Sequence, residues 1–192
     1  MRVVKAAPVT VTTYAVVSAL TLTWAVVSLH QTATAAEPVA GLELEIAGIR
    51  LLDPATAKPI LSNVQPREAV GTGYYQLTNS SRTETITFIL HPGSEKFSVA
   101  GVEVDADSPS PDVPEFPHSV QRFASARGVV LGMSRDEVKE HLGTPTSESD
   151  SEIRYFYDSE PWLKSFNFPA YESVYRFKDG KLVRFAFGFP YP

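Results

Sequence analysis

The element that this sequence specifies most fully is a short helix over Arg135–Leu142. Ser134 and Glu137 form a capping box, because the serine hydroxyl accepts an amide hydrogen bond and the glutamate three residues later reaches back to the serine amide. Met133 precedes the box and can contact Val138 as a hydrophobic staple. A helix this short does not persist alone in water, so it must pack on another element.

The residues after this helix indicate where it stops and what it packs on. Gly143 is typical of a left-handed C-terminal cap, and Pro145 prevents the helix from continuing. Three runs rich in aromatic and β-branched residues follow, and they predict strands over 153–157, 173–177 and 182–189. We therefore expect an α+β module in which the short helix packs on a small antiparallel sheet.

The turn Lys178-Asp179-Gly180 connects the last two predicted strands. It fits a two-residue loop, or a three-residue loop in which Gly180 occupies a left-handed bulge. The three-residue loop places Tyr175 opposite Val183 and gathers the aromatic residues on one face, whereas the two-residue loop mixes arginine into that face. The sequence therefore predicts the three-residue loop.

The first half of the chain has a similar order of elements. Residues 41–52 alternate apolar and acidic side chains and predict one strand. Asp53 as N-cap and Pro54 at the first helical position predict a short helix that ends at Leu61. Further strands are predicted over 73–77, 84–90 and 97–104. Both halves thus read as a helix followed by three strands, and a tandem duplication and a convergence of generic patterns both remain open.

The N-terminal segment has the composition of an export signal. Arg2 and Lys5 supply a positive start, and residues 6–29 carry no charge. Small residues at Ala33 and Ala35 match the pattern that a signal peptidase accepts, so we expect cleavage after Ala35. A retained membrane anchor is the alternative, because about 20 apolar residues can span a bilayer.

Four regions follow from these patterns. Residues 1–35 are predicted to be the signal peptide, and 36–107 a mostly β region that is a possible degenerate repeat unit. Residues 108–117 contain four prolines in ten positions and form a connector, either a boundary between domains or a stiff surface loop inside one domain. Residues 118–192 form the helix-on-sheet module.

Composition excludes several classes of function. The chain has no cysteine, so neither disulfides nor thiol chemistry are available to it. A net charge of −5 argues against non-specific binding to nucleic acid, which rests on lysine and arginine. The histidines lack metal-ligand spacing, and neither a G-x-S-x-G elbow nor a phosphate-binding loop occurs. We therefore expect no catalytic residue, no cofactor and no metal.

An aromatic segment between two predicted strands is the one candidate binding site in the sequence. Trp162, Phe166, Phe168 and Tyr171 fall in ten residues without a clean period. Aromatic side chains on loops commonly anchor protein interfaces. The alternative is that these rings cover the open end of the core, because large apolar groups are usually buried.

A wider pattern links the helix to the strands that follow it over residues 122–189. The sequence G-M-S-R-D-E-V-K-E-H-L-G-T-P ends at Pro145, an aromatic strand follows at Ile153–Tyr157, and the hairpin Y-R-F-K-D-G-K-L-V comes last. This order resembles the SmpA/OmlA (BamE-type) domain of bacterial envelope proteins. The residues of this fold motif, which include the capping-box Glu137, are Gly132, Met133, Ser134, Glu137, Val138, Leu142, Gly143, Pro145 and Gly180.

The resemblance implies a fold and a class of function. The fold is a short helix on a small antiparallel sheet, and the related beta-lactamase inhibitory protein holds two tandem copies, which suits the suspected repeat. The function is non-catalytic binding of another protein of the envelope or exterior, in a periplasmic or secreted location and in an assembly or scaffolding role. The alternative is a secreted proteinaceous inhibitor of a hydrolase. Neither reading involves nucleic acid, and only an uncleaved N-terminal segment would contact a membrane.

Overall fold

The computed structural model describes residues 39–69, 72–93, 95–106 and 109–190, which belong to one compact unit. The predicted signal peptide lies outside the described residues. No helix in the described part of the chain is long and apolar enough to cross a membrane.

Ten strands and two α-helices make up the described part of the chain. The helices are α1 (Pro54–Leu61) and α2 (Arg135–Leu142), and a 3₁₀ helix spans Pro161–Phe166. The strands are β1 (Glu45–Ile46), β2 (Ile49–Arg50), β3 (Arg67–Ala69), β4 (Thr72–Thr78), β5 (Thr85–Leu90), β6 (Val99–Asp105), β7 (Ser147–Ser149), β8 (Glu152–Asp158), β9 (Ala170–Lys178) and β10 (Lys181–Gly188).

Eight of the strands form one antiparallel sheet in the order β3-β4-β5-β6-β10-β9-β8-β7. Strand β6 pairs with β10, where Val104 lies opposite Phe185, and this pairing joins the strands of both halves into a continuous surface. The prediction of a helix packed on a small sheet is therefore wrong. Each half supplies a helix and then four strands, and the edge strands β3 and β7 were missed because each has only three residues.

Both predicted helices are confirmed, and their caps explain their limits. The Asp53 Oδ1 atom accepts a hydrogen bond from the Ala55 amide at 3.0 Å, and Pro54 opens α1. Ser134 and Glu137 form the capping box of α2 in both directions. Gly143 closes α2 with a φ of 87° and a ψ of −164°, so it has the positive φ that favours glycine but lies outside the left-handed helical region expected for this cap.

The predicted strand over 41–52 is wrong. Residues 39–44, the strap, form no strand and are hydrogen-bonded by side chains of β8 and β9, and β1 and β2 pair as a small hairpin. Ala47 and Gly48 connect them with φ angles of 51° and 79°, a backbone that breaks a continuous strand. The strap is tied down where the Gly41 amide donates to the Leu142 carbonyl oxygen at 2.8 Å.

The three-residue loop predicted between β9 and β10 is also wrong. Lys178 pairs with Lys181, and Asp179 and Gly180 form a two-residue loop with φ angles of 52° and 73°. A register shift between Leu182 and Arg184 then changes the phase of β10. This bulge sends both Leu182 and Phe185 into the core, so the two-residue loop does not mix arginine into the apolar face.

The two faces of the sheet differ in cover. The covered face carries buried side chains that share one hydrophobic cluster with α1, α2 and the β1–β2 hairpin; on the central strands they are Phe88, Val102, Val104, Phe185, Phe187, Tyr171 and Tyr175. The open face carries the alternate residues: Gln76, Thr87, Ile89, Gly101, Glu103, Asp105, Arg184, Ala186, Gly188, Glu172, Val174, Arg176, Glu152, Arg154 and Phe156. All of these except Gly188 are half-exposed or exposed.

The proline-rich segment is attached to the end of β4. Thr78 forms a parallel bridge with Glu115, and its amide donates to the Pro114 carbonyl oxygen at 2.9 Å. Val113 and Phe116 are buried. The described part of the segment therefore contributes to the core of the same compact unit.

Candidate protein-docking face

Charged side chains form a lattice of ion pairs on the open face. Arg154 pairs with Glu172 at 2.5 Å, and Arg176 pairs with Glu152 at 3.2 Å. Arg184 contacts both Glu103 and Asp105 on β6. Each pair is partly exposed, so each contributes only ~0–1 kcal/mol to stability. The lattice therefore does more to fix the position of these charges than to hold the fold together.

Two depressions interrupt this lattice on the central strands. The first has a volume of about 250 Å³ and is mostly apolar; Ile89, Leu90, Val174, Ala186 and Phe189 are among the residues that line it. The second has a volume of about 210 Å³ and is lined by Glu103, Arg176 and Arg184. Glu172, Val174 and Ala186 line both depressions, which are therefore neighbours in one trough.

Exposed apolar side chains lie on the same face. Ile89 on β5 is 36% exposed, and Phe156 on β8 is 39% exposed with the Arg154 guanidinium 5.4 Å from its ring centroid. They are the exposed large hydrophobic side chains of the described chain. Isolated exposed apolar groups are ordinary on a protein surface, but here two of them lie in one row of the sheet with a depression between.

The four aromatic residues proposed as a binding site are brought together at one end of the sheet. Trp162 contacts the ring of Tyr171, with 6.0 Å between centroids. Phe166 and Phe168 pack on Phe189 at 5.0 and 4.9 Å. Trp162, Phe166 and Phe168 are half-buried, whereas Tyr171 is fully buried. Only the first three can offer surface to a partner.

The residues of the fold motif lie away from the trough and stabilise the fold. Val138 and Leu142 are buried, and Ser134 and Glu137 make the capping box. The Gly132 amide donates to the Leu182 carbonyl oxygen, and the Leu182 amide donates back to the Met133 carbonyl oxygen. Gly180 lies in the β9–β10 turn. Pro145 follows α2 in the connection to β7.

One buried carboxyl group lies under the strap. Glu43 is 1% exposed; its side chain accepts hydrogen bonds from the Ser125 hydroxyl and, at 3.3 Å, from the Arg127 amide. Burial raises the pKa of Glu43, and the hydrogen bonds from Ser125 and Arg127 oppose that rise. Ser125 is itself buried, and its Oγ accepts the Val129 amide at 3.1 Å. This arrangement holds the strap to the loop before α2 and presents no accessible nucleophile.

Sequence reasoning missed the trough because its residues are far apart in the chain. Arg184 lies opposite Arg176 in the structure, and the alternation of side chains along β9 and β10 is the local signal for that shared face. The pairing of β6 with β10, which brings Glu103 and Gly101 to the same surface, has no local signature.

No three histidine, aspartate or glutamate side chains converge as a potential metal site within the described ranges. Comparison with family models, with curated proteins and with solved structures gives no match to this chain.

Proposed function

We propose that this chain is a non-catalytic protein-binding module that acts outside the cytoplasm in the assembly or scaffolding of the cell envelope. The open face of its sheet is the docking surface. The observation that carries the proposal is the trough on that face, where two adjacent depressions combine apolar lining with side chains held in place by ion pairs. The sequence pattern over residues 122–189, which resembles SmpA/OmlA domains, and the export-like N-terminal segment support the envelope location.

The chemistry of the trough fits a protein partner. Interfaces combine an apolar centre with a polar rim, and their rim charges select a partner more than they add affinity. The apolar depression supplies such a centre, and Arg176, Arg184 and Glu103 supply the rim beside it. Ion-paired side chains are already ordered, so less conformational entropy is lost when a partner binds.

Site-specific cross-linking in cells tests the docking surface. A photoreactive phenylalanine analogue is placed at Gln76 or at Arg176 on the open face of the full-length chain. The matched control is the same analogue at Glu140, an exposed position on α2. We expect a discrete cross-linked partner from the two open-face positions and none from position 140. Equal capture from position 140 would contradict the proposal.

Fractionation of the cross-linked product separates the two functions that the sequence left open. An outer-membrane assembly component in the membrane fraction supports the scaffolding role. A single soluble hydrolase that loses activity in stoichiometric proportion indicates an inhibitor, and that outcome would replace the scaffolding role while retaining the docking face.

A further inference from the structure

The apolar depression exists because two glycines face each other across neighbouring strands. Gly101 on β6 is paired with Gly188 on β10, and the flanking strands place Ile89 and Glu172 in the same row. Across these four strands the row has side chains at its two outer positions and none at the two glycines between them. With strands about 4.8 Å apart, the Ile89 and Glu172 backbones are separated by roughly 14 Å, so the gap is wide enough for a ring.

The two glycines are not equally required by the backbone. A Cβ atom at Gly188 would overlap the Ala100 carbonyl oxygen and the Gly101 Cα atom, so close backbone approach demands glycine there. A Cβ atom at Gly101 would lie 3.6 Å from the Phe187 carbonyl oxygen and 3.9 Å from the Ile89 side chain, which are ordinary contacts. Glycine inside a strand costs roughly 0.5–1 kcal/mol relative to alanine. Glycine at position 101 therefore lowers the stability of the fold although the backbone there does not require it, and its effect is to leave the gap open.

The lining of the gap indicates the chemistry of its occupant. Ile89, Val174 and Ala186 provide apolar walls, and Phe189 also lines the depression. Glu172 provides a carboxylate at the border with the charged depression, and its Oε1 atom is held by Arg154. A carboxylate has further acceptor sites beyond one arginine contact. An aromatic ring with an N–H or O–H group complements both the walls and this acceptor.

The size of the gap favours a side chain over a free small molecule. Pockets for drug-sized ligands have volumes of about 300–1,000 Å³, and this depression has about 250 Å³ on an otherwise open surface. Tryptophan and tyrosine are the residues most often found as buried anchors at the centre of protein interfaces.

We propose that the Gly101–Gly188 gap receives one tryptophan or tyrosine side chain of the partner, with the ring N–H or O–H group donating to Glu172. This proposal rests on the open face being the docking surface. The partner is thus a protein that presents an aromatic donor residue on a protruding segment, and Glu172 distinguishes it from one that presents phenylalanine or leucine.

A direct binding measurement on the full-length chain in detergent micelles tests the anchor chemistry. The probes are 5-fluoro-N-acetyltryptophanamide and 4-fluoro-N-acetylphenylalaninamide, followed by the broadening of their fluorine NMR lines. We expect saturable broadening of the indole probe, and about threefold to tenfold weaker binding of the phenyl probe because it lacks the ring donor. The Glu172→Gln substitution should weaken binding of the indole probe and leave binding of the phenyl probe unchanged.

Variants that fill the gap supply the decisive comparison. Gly101→Leu, and independently Ala186→Leu on the neighbouring strand, should abolish saturable broadening. Thr87→Leu adds the same side chain to the open face outside the gap and should leave the saturable broadening unchanged. Unaltered thermal melting of the three variants shows that they are folded. Equal broadening by wild type and both gap-filling variants would overturn the proposal.

The same variants separate the two proposals in cells. If the photoreactive analogue at position 176 still captures the partner in the Gly101→Leu background, the open face binds the partner without an aromatic side chain in the gap. Only the proposal of that aromatic side chain is then refuted. If position 176 captures nothing in wild type while the indole probe binds the gap, the docking proposal fails and the gap is a site for an aromatic group from another source.

Discussion

The hydroxyl group of Tyr171 bridges the strap to strand β9 through the backbone of Glu43. It accepts a hydrogen bond from the Glu43 amide at 2.7 Å and donates to the Glu43 carbonyl oxygen at 2.9 Å. Burial raises the pKa of this phenol, so it stays protonated as a donor through the ordinary pH range. One side chain therefore satisfies two buried backbone groups that no strand pairing reaches.

Replacing Tyr171 with phenylalanine should destabilise the fold. The variant keeps the ring but leaves the Glu43 amide and carbonyl groups buried without partners, which costs about 1–3 kcal/mol for each unsatisfied group. Urea denaturation measures the loss. The matched control is Tyr157→Phe, whose hydroxyl donates to the Ala40 carbonyl oxygen at 2.7 Å in a half-buried position where water can substitute. Equal losses in the two variants would contradict this account.

The buried carboxyl group of Glu43 should make stability depend on pH. Its pKa in the folded state is raised by burial, so the stabilisation by protonation is complete below the unfolded value of about 4.3 and is lost as pH rises through the folded pKa. The free energy of unfolding of wild type should therefore fall relative to Glu43→Gln as pH rises from about 4 toward 8. Urea denaturation of both proteins across that range measures the difference. A difference that is constant, or that grows in favour of wild type, would refute the raised pKa.

A methyl group at Gly41 should be far more harmful than one at Gly93. Both glycines have positive φ angles, 65° and 73°, so alanine is strained at either position. At Gly41 the added Cβ atom would also overlap the Tyr155 ring, whereas at Gly93 it meets nothing within 4 Å. We expect Gly93→Ala to cost about 1 kcal/mol and Gly41→Ala about 1–3 kcal/mol more because of the overlap. Thermal melting that ranks the two equally would show that the strap moves aside.

The sequence predicted those elements whose signals are local. Helix α2 carries its own start and stop in Ser134 and Gly143, so its limits followed from a few neighbouring residues. The size of the sheet depends on the pairing of Val104 with Phe185, and no short window of sequence contains both residues. The Gly101 gap was missed for the same reason, because a strand glycine becomes half of a gap only when Gly188 lies opposite.

The sequence singled out four aromatic residues as a group, but only three of them are partly exposed in the structure. Trp162 and Phe168 are half-buried, so each contacts both the core and solvent. Tyr171 belongs to strand β9 and points inward. Its position in the period-two alternation of the strand was the signal that separates it from the other rings.

The two-residue loop between β9 and β10 can be tested by substitution at Asp179. In the two-residue loop Asp179 has a φ of 52° and Gly180 a φ of 73°, so both positions need the left-handed region. Valine is poorly tolerated there because its branched side chain clashes with the backbone, and Asp179→Val should cost about 1–2 kcal/mol. Asp179→Asn, the residue that favours this turn most, should be neutral or slightly stabilising. In a three-residue loop position 179 would have an ordinary negative φ, and valine and asparagine would then give nearly equal urea midpoints.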